Sequence, residues 1–399
     1  MMTRQQDEQT TVPRRIAFVA PFGLGEKTTV WARTLPLASE LVRRGDVVTI
    51  IIPPWDTPDD SGRSWQAEGV DLVNVALTGG LPFVLWRMLR ALDRFQPDIV
   101  HIVKPRAHAG LLHWLFWQRR HLLPAGPRIL LDVDDWEQAW AAINHYPRPV
   151  ARFLAWQEEW GIRHADGITA ASRWLVERAE LYAPNTPVLY LPNGITPPPT
   201  VAEVPPPTQT TQILFYSRYV EVTPAWLADF WCALHCRQPT ATLLIFGDAL
   251  NEERPALFRR AMKERCPTAA AQVIWQAYNP VLVDTLYQTS ACAIFPAAQT
   301  PLHEAKCSVR LATTLLRGVP VVASAVGEQQ TYGAGGAAEL VAADAPPETF
   351  ARVVADVLEA PQKRLTQQHR ARQRLLQMYN WGKLTDQLSA FYCQHTTGQ

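Results

Sequence analysis

The chain has 399 residues, more than one hydrophobic core usually supports, so we expect two domains. Its apolar fraction of 47% is typical of a globular protein, and its net charge of +1 gives no electrostatic indication of nucleic acid binding. The polar N-terminus lacks the apolar core of a signal peptide, no apolar run is long enough to span a membrane, and the six cysteines lack metal-binding spacing. These features fit a protein of the reducing cytoplasm.

Buried strands alternate with helices along the first half of the chain. Apolar strands are predicted at residues 15–20, 47–52, 71–76, 99–103, 128–132, 167–170 and 188–191. Helices of about a dozen residues connect most of them, and this alternation predicts βαβ units and a parallel sheet.

The first predicted strand ends in a loop that contains Gly23 and Gly25. A glycine-rich loop between a first strand and its helix lets backbone N–H groups approach a phosphate or a sugar. The third glycine of a dinucleotide fingerprint is replaced by Thr28, and Glu26 separates the glycine from the lysine of a P-loop. Tight turning of the chain is the alternative role of the two glycines.

Acidic residues follow the strand predicted at 128–132. Asp134 and Asp135 would lie at the C-terminal end of a parallel strand, where α/β proteins bind ligands. One interpretation is a metal-binding DxD motif. The favoured one is that Asp135 caps the next helix, while Glu137 stabilises the positive end of that helix. His101, at another strand end, is interpreted as a hydrogen-bonded core histidine.

The sequence changes character at residues 196–210, which are rich in proline, lack periodicity and therefore predict a linker. Beyond it, strands are predicted at 213–217, 242–246, 272–275, 291–295, 319–323 and 339–341. The predicted organisation is a disordered tail at 1–14, a first α/β domain at 15–195, the linker at 196–210, a second α/β domain at 211–378 and a C-terminal helix at 379–399. Two doubly wound domains joined in this way imply a ligand held in the cleft between them.

The stretch 304–324 is predicted to form a loop, a helix, a tight turn and a buried strand. Ser308, Val309 and Arg310 would form the first turn of the helix, whose free N–H groups and positive dipole end favour an anion. Lys306 and Arg310 are four residues apart and would add two positive charges to one face. An ordinary αβ turn, which every open α/β sheet contains, is the alternative interpretation.

Three further residues would lie beside this turn. Arg218 and the pair Gly247 and Asp248 each follow a predicted strand of the second half. Because the C-terminal ends of parallel strands meet at one edge of a sheet, these residues and the turn at 306–310 would share one edge of the second sheet.

The order and spacing of these segments resemble the retaining, nucleotide-sugar-dependent glycosyltransferases of family four, which have the two-domain fold called GT-B. The segments that carry the resemblance are residues 20–25, 41–45, 97–101, 165–172, 191–195, 217–218 and 318–324. The resemblance implies two Rossmann-like, doubly wound α/β domains facing each other across a cleft, the first for the acceptor and the second for the nucleotide sugar. Trp381 opens what looks like the C-terminal helix that crosses back to the first domain.

The family implies transfer of a sugar from a nucleotide diphosphate sugar to a hydroxyl with retention of the anomeric configuration. It implies no metal or other cofactor, because cationic side chains and a helix N-terminus stabilise the leaving diphosphate. Arg218 matches the phosphate-binding arginine, and Gln276 and Tyr278 lie in the segment that flanks the base. The residues that match the donor site are Gly23, Gly25, Arg218, Gly247, Asp248, Gln276, Tyr278, Ser308 and Val309.

Three positions depart from the family pattern. The lysine of the family, five residues after its arginine, falls on Thr223, and its paired glutamates fall on Ala305 and Thr313. Thr313 can replace at most one of the hydrogen bonds that the second glutamate makes to the ribose. Glu304, one residue from the first position, would serve in its place after a small shift of the loop.

The candidate catalytic residues are Asp134, Asp135, Arg218 and Lys306. The two acids would orient the acceptor, while Arg218, Lys306 and Arg310 would bind the donor diphosphate and replace the charge of the missing lysine. The alternative function is a GT-B protein that has lost catalysis and acts as a binding or partner subunit. A nicotinamide-dependent oxidoreductase is a more distant alternative, because the dinucleotide fingerprint is incomplete.

The expected partners are the nucleotide-sugar donor and a glycan or lipid-linked acceptor, and no nucleic acid. The expected location is the cytoplasm, with peripheral contact at the inner face of the membrane. Helices are predicted at 82–95 and at 107 to about 122, and the segments 82–94 and 111–123 are rich in Trp, Leu and Arg, which is typical of helices that lie on an anionic membrane surface. The favoured alternative is that both helices pack on the sheet and keep their charged ends in water.

Overall fold

The computed structural model describes residues 13–25, 29–122, 126–196 and 211–394. Within them the chain forms two α/β units, each built on one mostly parallel sheet with core clusters on both of its faces. Most of the predicted tail and almost all of the predicted linker lie outside the described residues.

The first unit contains eight strands within its described residues. They are β1 (Arg15–Val19), β2 (Val47–Ile52), β3 (Ser64–Ala67), β4 (Val70–Asn74), β5 (Ile99–Val103), β6 (Arg128–Val133), β7 (Gly167–Ala170) and β8 (Val188–Tyr190). Their order in the sheet is β3-β4-β2-β1-β5-β6-β7-β8, and every neighbouring pair is parallel except β3 and β4. β5 is buried along its whole length, as expected for a central strand covered on both faces.

The second unit contains six strands among the described residues. They are β9 (Gln212–Tyr216), β10 (Thr242–Phe246), β11 (Val273–Gln276), β12 (Cys292–Phe295), β13 (Val321–Ser324) and β14 (Glu339–Val341). Their order is β11-β10-β9-β12-β13-β14, and all neighbours are parallel. The sequence prediction of two doubly wound, Rossmann-like sheets is therefore confirmed.

Helices connect the strands. Those of the first unit are α1 (Leu35–Arg43), which follows a π-helical turn at Val30–Thr34, α2 (Leu81–Phe95), α3 (Ala107–Leu122), α4 (Glu137–Ile143), α5 (Arg148–Arg163) and α6 (Arg173–Tyr182). The later ones are α7 (Pro224–Arg237), α8 (Glu253–Arg265), α9 (Val283–Thr289), α10 (Pro301–Ala305), α11 (Val309–Leu316), α12 (Gly327–Gly333), α13 (Pro347–Glu359), α14 (Pro361–Met378) and α15 (Trp381–Gln394). None of the helices in the described part of the chain is both long and apolar enough to pass through a membrane.

Local side-chain caps fix where several helices begin. The hydroxyl oxygens of Ser172, Thr223 and Ser308 each accept the backbone N–H three residues later, at 3.1, 3.1 and 3.4 Å. These bonds satisfy N–H groups that have no partner inside α6, α7 and α11. Gly318, with a φ of +78°, follows α11 in the left-handed conformation that commonly ends a helix.

Three local features differ from the sequence prediction. β3 was not predicted, because three of its four residues are exposed at the sheet edge and leave no apolar pattern. α10 replaces a predicted loop; it follows the cap residue Thr300 and has only five residues, too few to show periodicity. The predicted helix cap at Asp135 is wrong, since α4 begins after Trp136 and its first N–H groups, those of Glu137 and Gln138, donate to the carboxylate of Glu158.

The C-terminal helix α15 packs against α1 of the first unit. Trp381, Leu384 and Phe391 share a buried cluster with Phe18 of β1. Trp381 also lies so close to Gly194 that a Cβ at that glycine would be 2.4 Å from the indole ring. The chain therefore returns from the second sheet to the first, and the return places both sheets at fixed positions around one cleft.

Candidate functional site

The C-terminal ends of β9, β10 and β12 meet at one edge of the second sheet. Arg218 follows β9, Gly247 and Asp248 follow β10, and Lys306 follows β12 and α10. The acids at the end of β6 face this edge, because Asp135 interacts electrostatically with both Lys306 and Arg218. The candidate site therefore lies between the two sheets.

A pocket at this edge has one polar and one apolar side. The apolar side consists of Phe215, Tyr216, Phe295 and Pro296. The polar lining residues are Glu221, His303, Lys306, Ser308, Arg310 and Gln329. The structure thus brings together three of the predicted site residues, Lys306, Ser308 and Arg310, and the other three polar lining residues were not predicted.

The positive charges of Lys306 and Arg310 in the pocket are not fully neutralised by nearby carboxylates. Arg310 Nη1 donates to the carbonyl oxygen of Tyr216 at 3.2 Å, and Lys306 Nζ lies 5.9 Å from the centre of the Trp140 ring. Burial, together with the nearby guanidinium groups of Arg310 and Arg218, lowers the pKa of Lys306 to about 8. Burial and Arg310 also lower the pKa of Arg218. An anion bound between these groups would favour their charged forms, so the site is suited to binding one.

Glu221 is the acid among these lining residues. Its carboxylate accepts hydrogen bonds from Ser217 Oγ at 2.7 Å and from the Val220 N–H at 3.0 Å. It lies 3.9 Å from Lys306 Nζ and 3.8 Å from Arg310 Nη2. Burial alone would raise the pKa of Glu221, but the two cations and the hydrogen bonds lower it to about 2. No spacing pattern marks this residue, because its contacts form only when the turn after β9 folds.

Helix α11 begins at the pocket. Ser308 caps it by accepting the Leu311 N–H, and the same serine lines the pocket. Because the first N–H groups of a helix have no partner within it, the turn at Val309 and Arg310 presents the positive end of the dipole to this region. This arrangement was predicted from the sequence as an anion site.

The positions that depart from the family pattern have other roles in this fold. Thr223 caps α7. Ala305 is fully buried in the core, and Thr313 lies within α11 and is half-buried. Glu304 accepts a hydrogen bond from Gln299 at 3.3 Å in an exposed position and does not line the pocket. Glu304 is therefore not among the residues that line this pocket, and its part in donor binding stays a prediction.

The segment predicted to flank a base adjoins the glycine turn after β10. The Gly247 N–H donates to the Gln276 carbonyl oxygen at 3.1 Å, and Asp248 Oδ1 accepts the Tyr278 N–H at 3.0 Å. Gly247 has a φ of +131°, and a Cβ there would lie 2.2 Å from the Ser217 carbonyl oxygen, so no other residue fits. Tyr278 is 46% exposed, and its ring stacks on the ring of Tyr216 with 6.3 Å between the centroids.

The glycine loop after β1 packs on the loop after β2. The Gly23 N–H donates to Asp56 Oδ1 at 2.5 Å, and a Cβ at Gly23 would lie 2.2 Å from Thr57 Oγ1. A Cβ at Gly25 would lie 3.0 Å from Thr57 Cγ2. Both glycines permit close packing inside the first unit, and neither lines the pocket described above. Residues 26–28 of the loop lie outside the described residues.

Acids of the first unit surround Lys104. Its Nζ lies 3.1 Å from Asp134, 3.6 Å from Asp135 and 3.3 Å from Glu137. Burial and the neighbouring carboxylates of Asp132 and Asp135 outweigh the attraction of Lys104 and raise the pKa of Asp134 to about 6. Asp134 and Asp135 are thus arranged around a lysine, and the pKa of Asp134 lies well above the usual value of an aspartate.

Arg33 is a buried residue at this edge that the sequence analysis did not identify. Its Nε and Nη2 donate to the two oxygens of Asp132 at 2.8 and 2.7 Å, and Nη2 also donates to the Leu191 carbonyl oxygen at 2.9 Å. Nη1 donates to Asn193 Oδ1 at 3.1 Å. Asn193 Nδ2 in turn donates to the Cys307 carbonyl oxygen at 3.2 Å. Arg33 thus connects the end of β6 to the residue before the cap of α11.

A second set of contacts joins the two units. Glu328 of α12 accepts the Arg173 N–H at 2.9 Å and the Tyr190 hydroxyl at 2.5 Å. The Tyr332 hydroxyl donates to the Asn193 carbonyl oxygen at 2.8 Å. These bonds hold the second unit against the first beside the candidate site.

His101 is a structural residue, as predicted. Its Nδ1 lies 2.7 Å from the Tyr392 hydroxyl and its Nε2 lies 3.2 Å from Thr169 Oγ1. Burial lowers the pKa of His101 to about 4, so the ring is neutral at physiological pH. It therefore ties α15 to the first sheet and carries no charge into the site.

Two family descriptions match the chain. Residues 28–194 match "Glycosyl transferase 4-like domain", and residues 210–360 match "Glycosyl transferases group 1". No curated protein sequence matches the chain.

Solved structures with the same fold cover nearly the whole chain. Sucrose-phosphate synthase from Thermosynechococcus elongatus has a TM-score of 0.70 and 15% identity, over 97% of this chain and 100% of that one. HepE from Anabaena, solved with UDP-glucose, has a TM-score of 0.64 and 13% identity, over 95% and 99%. WaaG, described as a glycosyltransferase involved in lipopolysaccharide biosynthesis, has a TM-score of 0.63 and 15% identity, over 96% and 100%.

Proposed function

We propose a reaction for this chain on the premise that it belongs to the glycosyltransferases of the GT-B fold and is similar to those of family four. It moves a sugar from a nucleotide diphosphate sugar to an acceptor hydroxyl and retains the anomeric configuration. The acceptor is a glycan or a lipid-linked molecule, in the synthesis of a glycan, a glycolipid or a cell-envelope polysaccharide. The reaction takes place in the cytoplasm and needs no metal or other cofactor.

The observation that carries the proposal is the convergence of Arg218, Lys306 and Arg310 at the start of α11. The three cations come from two separate segments, and burial together with repulsion from the neighbouring cations lowers the pKa values of Lys306 and Arg218. Such repulsion is relieved when an anion binds among the cations. A diphosphate carries enough negative charge and enough acceptor oxygens to engage all three.

The same groups would assist the departure of the nucleotide. As the bond between the sugar and the diphosphate breaks, negative charge develops on the leaving oxygen, and fixed cations and helix N–H groups stabilise it. Arg218, Lys306 and the first turn of α11 have this role in the proposal. Asp134 and Asp135 orient the acceptor hydroxyl from the opposite side of the cleft.

Titration calorimetry tests the proposal. UDP is the first ligand to use, because HepE was solved with UDP and with UDP-glucose, and ADP and GDP follow. We expect saturable binding that Arg218→Ala weakens by about 1.5–3 kcal/mol, the value of a charge-assisted bond, or about 10- to 150-fold in Kd. Arg260→Ala is the matched control, because Arg260 is an exposed arginine of α8 that pairs with Glu264 and does not line the pocket. No binding of any of the three nucleotides would refute the proposal.

The alternative proposal is a binding or partner subunit without catalysis. Three residues favour it, because they stand where the family has a lysine and two glutamates: Thr223, Ala305 and Thr313. In this fold Thr223 caps a helix, Ala305 lies in the core and Thr313 lies within α11. Release of UDP from UDP-glucose above the rate of an Arg218→Ala variant would exclude it.

We also propose contact with the inner face of a membrane. Helix α2 exposes Phe83 and Trp86 at 55% and 50%, and the Arg90 guanidinium lies 5.2 Å from the centre of the Trp86 ring. Aromatic and basic residues on one helix are typical of helices that lie on anionic lipid. We expect co-sedimentation with anionic liposomes at low salt, lost in Phe83→Ser/Trp86→Ser and kept in the control Leu257→Ser, which changes an equally exposed residue of α8. Absence of pelleting by the unmodified protein would contradict the proposal.

A further inference from the structure

The turn after β9 fixes one carboxylate inside the cation pocket. Glu221 accepts hydrogen bonds from Ser217 Oγ, from the Arg218 N–H at 3.2 Å and from the Val220 N–H at 3.0 Å. Tyr219, between those two N–H groups, has a φ of +63°, which is uncommon for a residue other than glycine. The hydrogen bonds to Glu221 stabilise this conformation, so the carboxylate is held by its own turn before any ligand binds.

This carboxylate faces the two cations that belong to α11 and to the residues just before it. The distances of 3.9 Å to Lys306 Nζ and 3.8 Å to Arg310 Nη2 are longer than those of hydrogen bonds, so the attraction is mainly electrostatic. Lys306 and the Nη2 group of Arg310 therefore keep hydrogen-bonding capacity for another partner, while Arg310 Nη1 donates to the Tyr216 carbonyl oxygen. Glu221 is therefore placed to act on their charge and position and leaves their N–H groups available.

We propose that Glu221 is a positioning residue of the donor site, whose fixed carboxylate keeps Lys306 protonated and directed into the pocket so that it binds the donor diphosphate. This inference rests on the proposed function, because it assigns Glu221 a part in nucleotide binding. It also explains how Lys306 and Arg310 can both stay charged while they line one pocket with Arg218 nearby.

The surroundings of Lys306 show why the carboxylate matters. Arg310 of α11 and Arg218 of the turn after β9 repel the ammonium group, while Glu221 and the more distant Asp135 of the first unit attract it. Burial and the nearby Lys306 lower the pKa of His303 of α10 and so favour the neutral form of its ring. His303 therefore does not offset the charge of Lys306. Removing the charge of Glu221 leaves the two arginines in excess.

The sign of the pH effect follows from these contacts. With Glu221 in place the pKa of Lys306 is about 8, so the amine is mostly charged at pH 7 and loses its proton as the pH rises through 8. Loss of an opposite charge at this distance lowers a pKa by about 1 unit or more. In Glu221→Gln, Lys306 would therefore become neutral at a lower pH and lose its attraction for phosphate there.

The test compares Glu221→Gln with the unmodified protein in nucleotide affinity between pH 6.5 and 9.5. The probe is whichever of UDP, ADP and GDP binds the unmodified protein most tightly. We expect the ratio of the two dissociation constants, variant over unmodified, to rise about tenfold across this range for a shift of about one pKa unit. The ionisation of the nucleotide itself cancels in the ratio.

A second pair of proteins removes the possibility that Glu221→Gln only disturbs the fold. Arginine stays charged throughout this range, so in a Lys306→Arg background the same ratio should be independent of pH. A ratio that is constant in the original background, or that rises equally in both, would overturn the assignment of Glu221. Absence of nucleotide binding by the unmodified protein would instead refute the proposed function, so the two failures are distinguishable.

Discussion

Replacing Arg33 by methionine tests how the first unit supports the site. The guanidinium and the Asp132 carboxylate form a two-pronged ion pair at 2.7 and 2.8 Å, with only 2% and 6% of their side chains exposed. Methionine fills a similar volume, but it leaves Asp132 buried without a counter-ion and removes the donor to Asn193. Asp132 keeps a hydrogen bond from Thr169 Oγ1 at 2.6 Å, which compensates only part of the loss.

The expected loss is large for a single substitution. Breaking a buried ion pair by removing one partner destabilises by about 3–5 kcal/mol. A unit of this size changes its melting temperature by about 2–4 °C for each kcal/mol. We therefore expect the first unit of Arg33→Met to melt about 6–20 °C lower at pH 7, measured by calorimetry, which resolves the two units if they unfold separately.

Two controls separate the ion pair from other effects. Arg33→Met/Asp132→Leu removes both charges and should recover much of the loss, since a well-packed apolar pair can replace a buried ion pair. Arg33 lowers the pKa of Asp132 against the effect of burial, so the pair stabilises the fold above the ordinary pKa of 3.8 and this contribution disappears at lower pH. A loss below about 1 kcal/mol at pH 7, or a double variant less stable than Arg33→Met, would refute the reasoning.

Two further predictions concern the site itself. Gly247→Ala should lower the free energy of unfolding by about 3 kcal/mol, because Gly247 has a left-handed backbone and a Cβ there would clash with the Ser217 carbonyl oxygen. The control Gly335→Ala also lies at positive φ but has open space around it, so it should lose only about 1 kcal/mol. Equal losses of the two variants in urea unfolding would contradict this reasoning. The second prediction concerns Asp134, whose pKa is raised to about 6. Because this acid ionises between pH 5 and 7, the initial rate of nucleotide release should increase over that range. Asp134→Asn should lower the rate and abolish its increase with pH. An unchanged increase in the variant would exclude Asp134 as the ionising group.

The fold was predictable because its strands are local apolar runs. β5 has the same bounds in the structure as in the sequence prediction, since its five residues form one continuous apolar and buried run. The start of α11 was predictable for a similar reason, because a cap such as Ser308 acts on an N–H only three residues away. β3 was not, because an exposed edge strand of four residues has no apolar periodicity.

The side-chain pairs that shape the site were not predictable, because they join distant parts of the chain. Arg33 and Asp132 are 99 residues apart, and Asn193 and Cys307 are 114 apart. Nothing in the local sequence of either partner indicates the other. Glu221 shows the same limit at short range, since its role depends on how a tight turn directs its carboxylate toward α11.

The most direct measurement of the donor site is a crystal structure of the protein soaked with UDP-glucose. The proposed site predicts phosphate oxygens within hydrogen-bonding distance of Arg218 and Lys306 and of the first N–H groups of α11, with the base beside Tyr278. It also predicts that Glu221 stays in its turn when the nucleotide binds. A nucleotide bound elsewhere, or with its phosphates away from Arg218 and Lys306, would contradict the central claim that these cations bind the donor.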